Sequence, residues 1–257
     1  MTIVAQRTII AENTSEAWLD AVVALNKTRT RKVVHLVMRI KDPRPEQPAI
    51  RGEAQLMIDE TNRHVTEEHR WRDIDTTRNT IFPATWAARA LGPIELADYY
   101  RARYAELRRY RGNRDGTYFG RIVAYPRIDG SWADQLNATI EKLNGELATQ
   151  GPKSSRFEIS IYSEAPDGRR LMGFPCLAHL SLHLDQRRLH LQAVYRNEHL
   201  IARAYGNYRG LADLQVYIAD SVGIEAGELA VIIGHAYLEA DKLSVGHMLE
   251  RLQGPEH

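Results

Sequence analysis

The chain has a single cysteine, Cys176, in 257 residues. That excludes an internal disulfide framework and a cysteine-based zinc site, and it leaves a free thiol suited to a reducing compartment. An excess of either charge is missing too, because the formal net charge is only +1. Nothing therefore marks nucleic acid or an anionic membrane as the principal partner, although a small anion needs only a few local arginines. No run approaches the roughly 20 apolar residues that span a bilayer. The first 13 residues include Arg7 but neither a long apolar stretch nor a small-residue cleavage site, so no signal peptide is expected and the cytoplasm is the default location. The sequence shows no repeat, low-complexity tract or obvious linker.

What is present is ordinary for a globular chain: 44% apolar and 26% charged residues, with length enough for a sizeable core. Ala17, Trp18, Ala21, Val22 and Leu25 share one helical face, with Thr14 or Ser15 as N-cap. Residues 32–41 alternate as a strand through Val34, Leu36, Met38 and Ile40, and Pro43, Pro45 and Pro48 end it. Residues 51–93 support only short elements. A helix is expected over 97–110, with Arg101, Arg103, Arg108 and Arg109 on a solvated face.

Residues 118–125 read as a strand. Trp132, Leu136, Ile140, Leu143 and Leu147 give a helix that stops before Gly151-Pro152. Phe157, Ile159 and Ile161 alternate as a strand. Residues 176–184 and 189–196 read as two strands joined in a hairpin by Asp185, Gln186, Arg187 and Arg188. Leu211, Leu214, Ile218 and Val222 form an amphipathic helix that Gly223 ends. A strand at 229–233 and a helix at 243–252 complete a mixed order, for which one α+β domain is the economical reading.

Cys176 opens its strand after Phe174-Pro175, on the face of Ala178, Leu180 and Leu182. It is either a small buried hydrophobe or a nucleophile whose thiolate a cation stabilises. Arg196 ends the strand paired with the one that Cys176 begins, so the hairpin brings the two together as a plausible anion site.

From this point several motifs, in order, resemble thymidylate synthase. Residues 118–126, YFGRIVAYP, resemble the family's YGxQWRxWP; Asp129-Gly130 and Asp134-Gln135-Leu136 resemble its DGxxxDQL helix entry. Ser155-Arg156 resembles the SRR pair, Pro175-Cys176 the nucleophile motif, and Arg196 and Asn207 follow at the family's spacing. Residues 224–228 resemble the LxxGD turn, and His235-Ala236-Tyr237 resembles HxY. The resemblance covers roughly residues 118–237. It implies a single thymidylate synthase-like α+β domain over 1–257, with a mixed β-sheet flanked by helices.

It also implies roles. Cys176 would attack C6 of a pyrimidine, Tyr118 would help move the C5 proton, and Asn207 would hydrogen-bond the base edge, favouring uracil. Arg196 would grip the 5′-phosphate, aided by Asn197 and by Arg156 across a shared homodimer site, while His235 and Tyr237 would hold the sugar. Singly, each has a bland reading: Tyr118 as core, Asn207 as a turn residue, His235 as a strand-end histidine. The donor implied is 5,10-methylene-tetrahydrofolate. Against it, His199 stands where the family pairs the pterin with aspartate, and Phe157 replaces the second arginine of SRR. No clear counterpart exists for the catalytic glutamate or the N-terminal phosphate loop, and the 253–257 tail is unlike the apolar one that closes over folate. The nucleotide side persists while the folate side is eroded. The expected function is therefore C5 methyl or hydroxymethyl transfer to a pyrimidine nucleoside monophosphate; the alternative is a nucleotide-binding homologue without folate chemistry. His179 and His183 share a strand face about 13 Å apart at ~3.3 Å per residue, too far to hold one metal ion.

Overall fold

The computed structural model of the chain describes residues 7–149 and 155–253. The expected helix end at Gly151-Pro152 and the tail residues 254–257 lie outside the described residues. The elements are β1 (Thr8–Ala11), α1 (Thr14–Asn26), β2 (Lys32–Ile40), α2 (Pro48–Asn62), α3 (Ile74–Ile81), α4 (Ala84–Ala87), α5 (Pro93–Leu107), α6 (Tyr118–Val123), β3 (Tyr125–Pro126), β4 (Trp132–Ala133), α7 (Gln135–Leu147), β5 (Phe157–Ser160), α8 (Glu164–Asp167), β6 (Leu177–Asp185), β7 (Arg188–Tyr195), β8 (Glu198–His199), α9 (Tyr205–Ser221), β9 (Glu225–Tyr237) and α10 (Lys242–Gln253). A π-type turn, Leu200–Ala204, joins β8 to α9.

The main sheet runs β1-β2-β9-β7-β6-β5, with β8 added beside β9. β1 pairs with β2, and β7 and β8 with β9, in parallel; the remaining neighbours are antiparallel. This is an α+β arrangement with a mixed sheet flanked by helices. In β7, Leu189, Leu191, Ala193 and Tyr195 are buried while His190, Gln192 and Val194 are half-buried, so one face carries the core and the other does not.

The hairpin forms as the sequence indicates. Gln186 and Arg187 have φ of +44° and +60°, the left-handed pair that a tight two-residue hairpin turn uses. Gly223, at φ +70°, ends α9. In β2 a positive φ of +59° at His35 breaks the alternation, so Val33 is buried and Val34 exposed, while Leu36, Met38 and Ile40 stay inside.

Other expectations are corrected. The N-cap of α1 is Asn13, which accepts the Glu16 N–H at 3.0 Å. The 15-residue helix α2 runs from Pro48 into the 51–93 stretch, because Pro48 occupies its first turn, where a missing N–H costs nothing. Its buried Ile50, Ala54, Met57 and Ile58 follow helical spacing. Residues 118–123 are helix rather than strand. Thr117 caps it by accepting the Gly120 N–H at 3.1 Å, and Phe119 to Val123 are all buried. A short helix enclosed on every side has no polar face, so its sequence is indistinguishable from that of a buried strand. The 224–228 turn is instead the start of β9, and Trp132 lies in β4 rather than α7, which Asp134 caps through the Asn137 N–H at 3.0 Å. On α5, Arg101 is not solvated: it bonds Asp134 at 2.6 Å and the Val123 carbonyl at 3.0 Å.

α3 lies directly on α9. A Cβ at Gly206 would sit 2.7 Å from the Ile74 carbonyl oxygen, and one at Gly210 the same distance from that of Arg78. Two glycines one turn apart thus let the helix backbones touch, which brings the threonines of α3 beside the first turn of α9.

Candidate functional site

Beside that crossing is a cavity of about 340 Å3, near the lower end of the roughly 300–1,000 Å3 range of ligand pockets. Its wall includes Cys176, Tyr118 and Asn207, so the three residues assigned catalytic roles from the sequence meet at one place. Each arrives on a different element. Tyr118 begins α6, Cys176 immediately precedes β6, and Asn207 lies in the first turns of α9. Asn207 is therefore a buried helix residue, not a turn residue.

Two further cationic residues line the same cavity, Arg72 and Arg203. Neither has a hydrogen bond or ion pair to a carboxylate among the described residues. The Arg72 guanidinium is held below the usual arginine range, first by burial and then by the charge of Arg203. Two guanidinium groups that repel one another without a counter-ion form an anion-binding arrangement. Arg203 sits in the π-type turn, four residues before Asn207, and such turns recur at functional sites. The turn is held at its start by Glu239, whose carboxylate accepts the N–H groups of Ile201 and Ala202 at 3.1 Å, and by the Trp18 indole, which donates to the Leu200 carbonyl at 2.7 Å. Thr77, Thr80 and Thr117 add hydroxyl groups. No motif marks Arg72 or Arg203; each stands alone in the sequence, and only folding brings them together.

The cavity wall is rigid where Arg121 meets Asp167. Their bidentate ion pair, 2.9 Å at both oxygens, is almost wholly buried. Asp115, the one acid in the wall, is paired with Arg170 at 2.9 Å.

The remaining sequence candidates do not line this cavity. Arg196 donates to the carbonyls of Pro175 at 3.1 Å and Phe174 at 3.0 Å. It holds the segment before Cys176 instead of presenting a free guanidinium. Asn197 lowers the Cys176 thiol, and its Nδ2 lies 3.4 Å from Nε2 of His199. Arg156 is exposed and bonds Glu146. His235 and Tyr237 pack ring to ring, 4.1 Å between centroids, on β9, where Tyr237 also stacks on His199 at 5.4 Å. His179 bonds Glu158 at 2.5 Å, His183 lies 3.2 Å from Ser181, and no cluster of three or more metal-type ligands occurs among the described residues.

The electrostatics favour neutral groups. Burial pushes the Cys176 thiol up, against the opposing effects of Arg196, Arg203 and Asn197; Glu198 pushes it further up. Burial also raises the Tyr118 phenol well above the tyrosine range. Behind Asn207 stands Glu198, fully enclosed and pushed up to about 8 by burial, although Asn207 donates to it at 3.0 Å. Glu198 stands between Asn197 and His199, yet its burial has no signature in the sequence.

An adjoining cavity of about 400 Å3 shares Thr80 and Thr117 with the first and is walled by Trp86, Tyr100 and Tyr110. No carboxylate lines it. His199 faces Glu239 at 3.5 Å and Tyr237 rather than either cavity. The only carboxylate in the two walls is thus Asp115 of the first cavity, which is paired with Arg170.

An α+β sheet protein with a cysteine, an amide and two unpaired guanidiniums around one cavity is what the fold and site define. No protein-family model matches the chain, and no curated protein matches it. No helix among the described residues is long and apolar enough to cross a membrane.

Proposed function

We propose that the chain is a divergent thymidylate synthase-like protein that binds a pyrimidine nucleoside monophosphate and transfers a one-carbon unit to C5, through a Cys176 adduct at C6. The observation that carries this reading is the meeting of Cys176, Tyr118 and Asn207 around one cavity that also holds Arg72 and Arg203 without counter-ions. In the proposed cycle the Cys176 sulfur bonds to C6 and the ring electron pair moves to C5. C5 then bonds to an electrophilic one-carbon donor at the formaldehyde level. The C5 proton passes to a base, and the returning electrons break the sulfur–C6 bond and free the thiolate.

Asn207 orients the base edge and the two arginines clamp the phosphate. Tyr118, held protonated, serves as a hydrogen-bond donor that carries a proton away only in concert with another group. The position of His199 does not fit 5,10-methylene-tetrahydrofolate, and no step is derived through it. The half-buried sheet face is where a second copy would pack in a homodimer, with Arg156 reaching its neighbour. The free thiol suits the cytoplasm.

The test is tritium release from C5-labelled uracil and cytosine nucleoside monophosphates, with wild type and Cys176→Ala. Release that vanishes in the variant is expected. Equal release in both would overturn the covalent mechanism. A second reading, nucleotide binding without turnover, is favoured by the raised Cys176 thiol, and it predicts saturable binding with no release from any labelled nucleotide.

A further inference from the structure

Asn207 and Glu198 are 3% and 2% exposed, and their contact leaves a pattern of unmet hydrogen bonds. Nδ2 of Asn207 donates to Oε1 of Glu198 at 3.0 Å. Oδ1 of Asn207 and Oε2 of Glu198 are both buried without a protein partner. Asn207 lines the Cys176 cavity and Glu198 does not, so Glu198 acts on anything in the cavity only through the amide. Glu198 is itself fixed: β8 pairs Glu198 with Ala236 and His199 with Tyr237.

We propose that Glu198 sets the orientation of the Asn207 carboxamide, and so decides which order of hydrogen-bond donor and acceptor the cavity offers to a heterocycle. An amide reads the same in shape whichever way it is turned, but its oxygen and nitrogen exchange places. Once ionised, Glu198 accepts only, so the nitrogen must face it, as Nδ2 does, and the oxygen is left for the cavity. One Nδ2 hydrogen is committed to Oε1; the other stays available beside Oδ1. The cavity then presents an acceptor and a donor side by side in one fixed order. A uracil edge offers N–H beside C=O, and a cytosine edge offers the reverse, so a fixed amide accepts one and leaves unmet pairs against the other. Glu198 is a positioning residue on this account, and the inference rests on the nucleotide reading of the cavity.

Glu198→Gln is the discriminating variant. Glutamine keeps the volume but both donates and accepts, so it permits either orientation of Asn207. Calorimetry with uridine and cytidine monophosphates at pH 9, above the value of about 8 to which burial pushes the Glu198 carboxyl, in wild type and variant of matched melting temperature, measures the preference. Wild type is expected to favour the uracil nucleotide by about tenfold or more, and the variant by about threefold or less, as the loss of one well-paired edge implies. Ribose 5-phosphate, which has no base, should bind both equally.

A second measurement needs no nucleotide. The Asn207 side-chain amide signal, assigned by its loss in Asn207→Asp, should show one proton protected from solvent exchange in wild type and unprotected in Glu198→Ala. An unchanged base preference in Glu198→Gln, or protection that survives in Glu198→Ala, overturns the proposal. Failure of wild type to bind any pyrimidine nucleotide sinks the functional reading, whereas the amide signal still decides whether Glu198 holds Asn207.

Discussion

The Arg196 guanidinium lies over the ring of Phe174, 3.8 Å from its centroid, and its Nη2 donates to the carbonyl of that same residue at 3.0 Å. A residue next to the paired strands thereby locks the chain two positions before the thiol, and places a positive charge near it. Both effects act on Cys176, one by position and one by charge.

The charge effect is read in Arg196→Met, which keeps a long side chain over Phe174 but removes both the charge and the hydrogen bonds to the Phe174 and Pro175 carbonyls. Arg196 lowers the Cys176 thiol, so its loss should move the midpoint of the pH–rate profile for iodoacetamide alkylation upward. At pH 7.5, alkylation should slow severalfold, because less thiolate is present. A profile that stays in place would mean that Arg196 acts on the cysteine by position alone.

Asp167→Asn tests the buried ion pair behind the cavity. The variant leaves Arg121 enclosed with no opposite charge, and breaking a buried pair from one side typically costs about 3–5 kcal/mol. Asp167 also accepts the Ser163 N–H at 3.0 Å, so the α8 turn loosens with it. Urea unfolding should show that loss in the midpoint with little change in slope. A loss under ~1 kcal/mol would mean that water reaches Arg121 in the folded protein.

The sequence carried the strands that have one buried and one open face. Leu189, Leu191, Ala193 and Tyr195 alternate cleanly with His190, Gln192 and Val194, and Gly223 stops α9 where a glycine should. It could not separate strand from helix at 118–123, where every residue from Phe119 to Val123 is buried and no periodicity survives. The site was legible to the same degree. Cys176, Tyr118 and Asn207 each lie in a stretch with recognisable neighbours, and they line one cavity. Arg72 and Arg203 have no such neighbours, and what marks them is the lack of a counter-ion, a property of the fold. Glu198 was visible as a letter between Asn197 and His199, but its enclosure depends on β9 and α9 closing around it.

Glu198 also predicts a pH dependence. Its carboxyl stands at about 8 in the folded chain against an ordinary 4.5. Between those values the folded protein holds a proton that the unfolded chain has released. Stability is therefore greatest below about 4.5 as far as this group is concerned, falls as pH rises through the window, and levels off above about 8. At about 1.4 kcal/mol per unit the whole window is worth at most roughly 4–5 kcal/mol. Urea midpoints at pH 5.5 and 8.5 should differ in wild type and converge in Glu198→Gln, which has no proton to lose. Parallel slopes in the two proteins would place the carboxylate in contact with water.

The unpaired arginines make the last prediction. With no anion present, Arg72 and Arg203 repel one another across the cavity, and Arg203 helps hold the Arg72 guanidinium below its usual range. Arg72→Gln should then leave the free protein as stable as wild type or slightly more so, which is unusual for a change at a half-buried position. The cost should fall on binding. A charge-assisted contact is worth about 1.5–3 kcal/mol, so affinity for a nucleoside monophosphate should drop about tenfold or more, with a smaller loss for the uncharged nucleoside. In thermal melts the nucleotide should raise the wild-type midpoint and barely move that of Arg72→Gln, because only a ligand that binds the folded state shifts it. Equal shifts in the two proteins would exclude Arg72 as a phosphate partner and leave that role to Arg203.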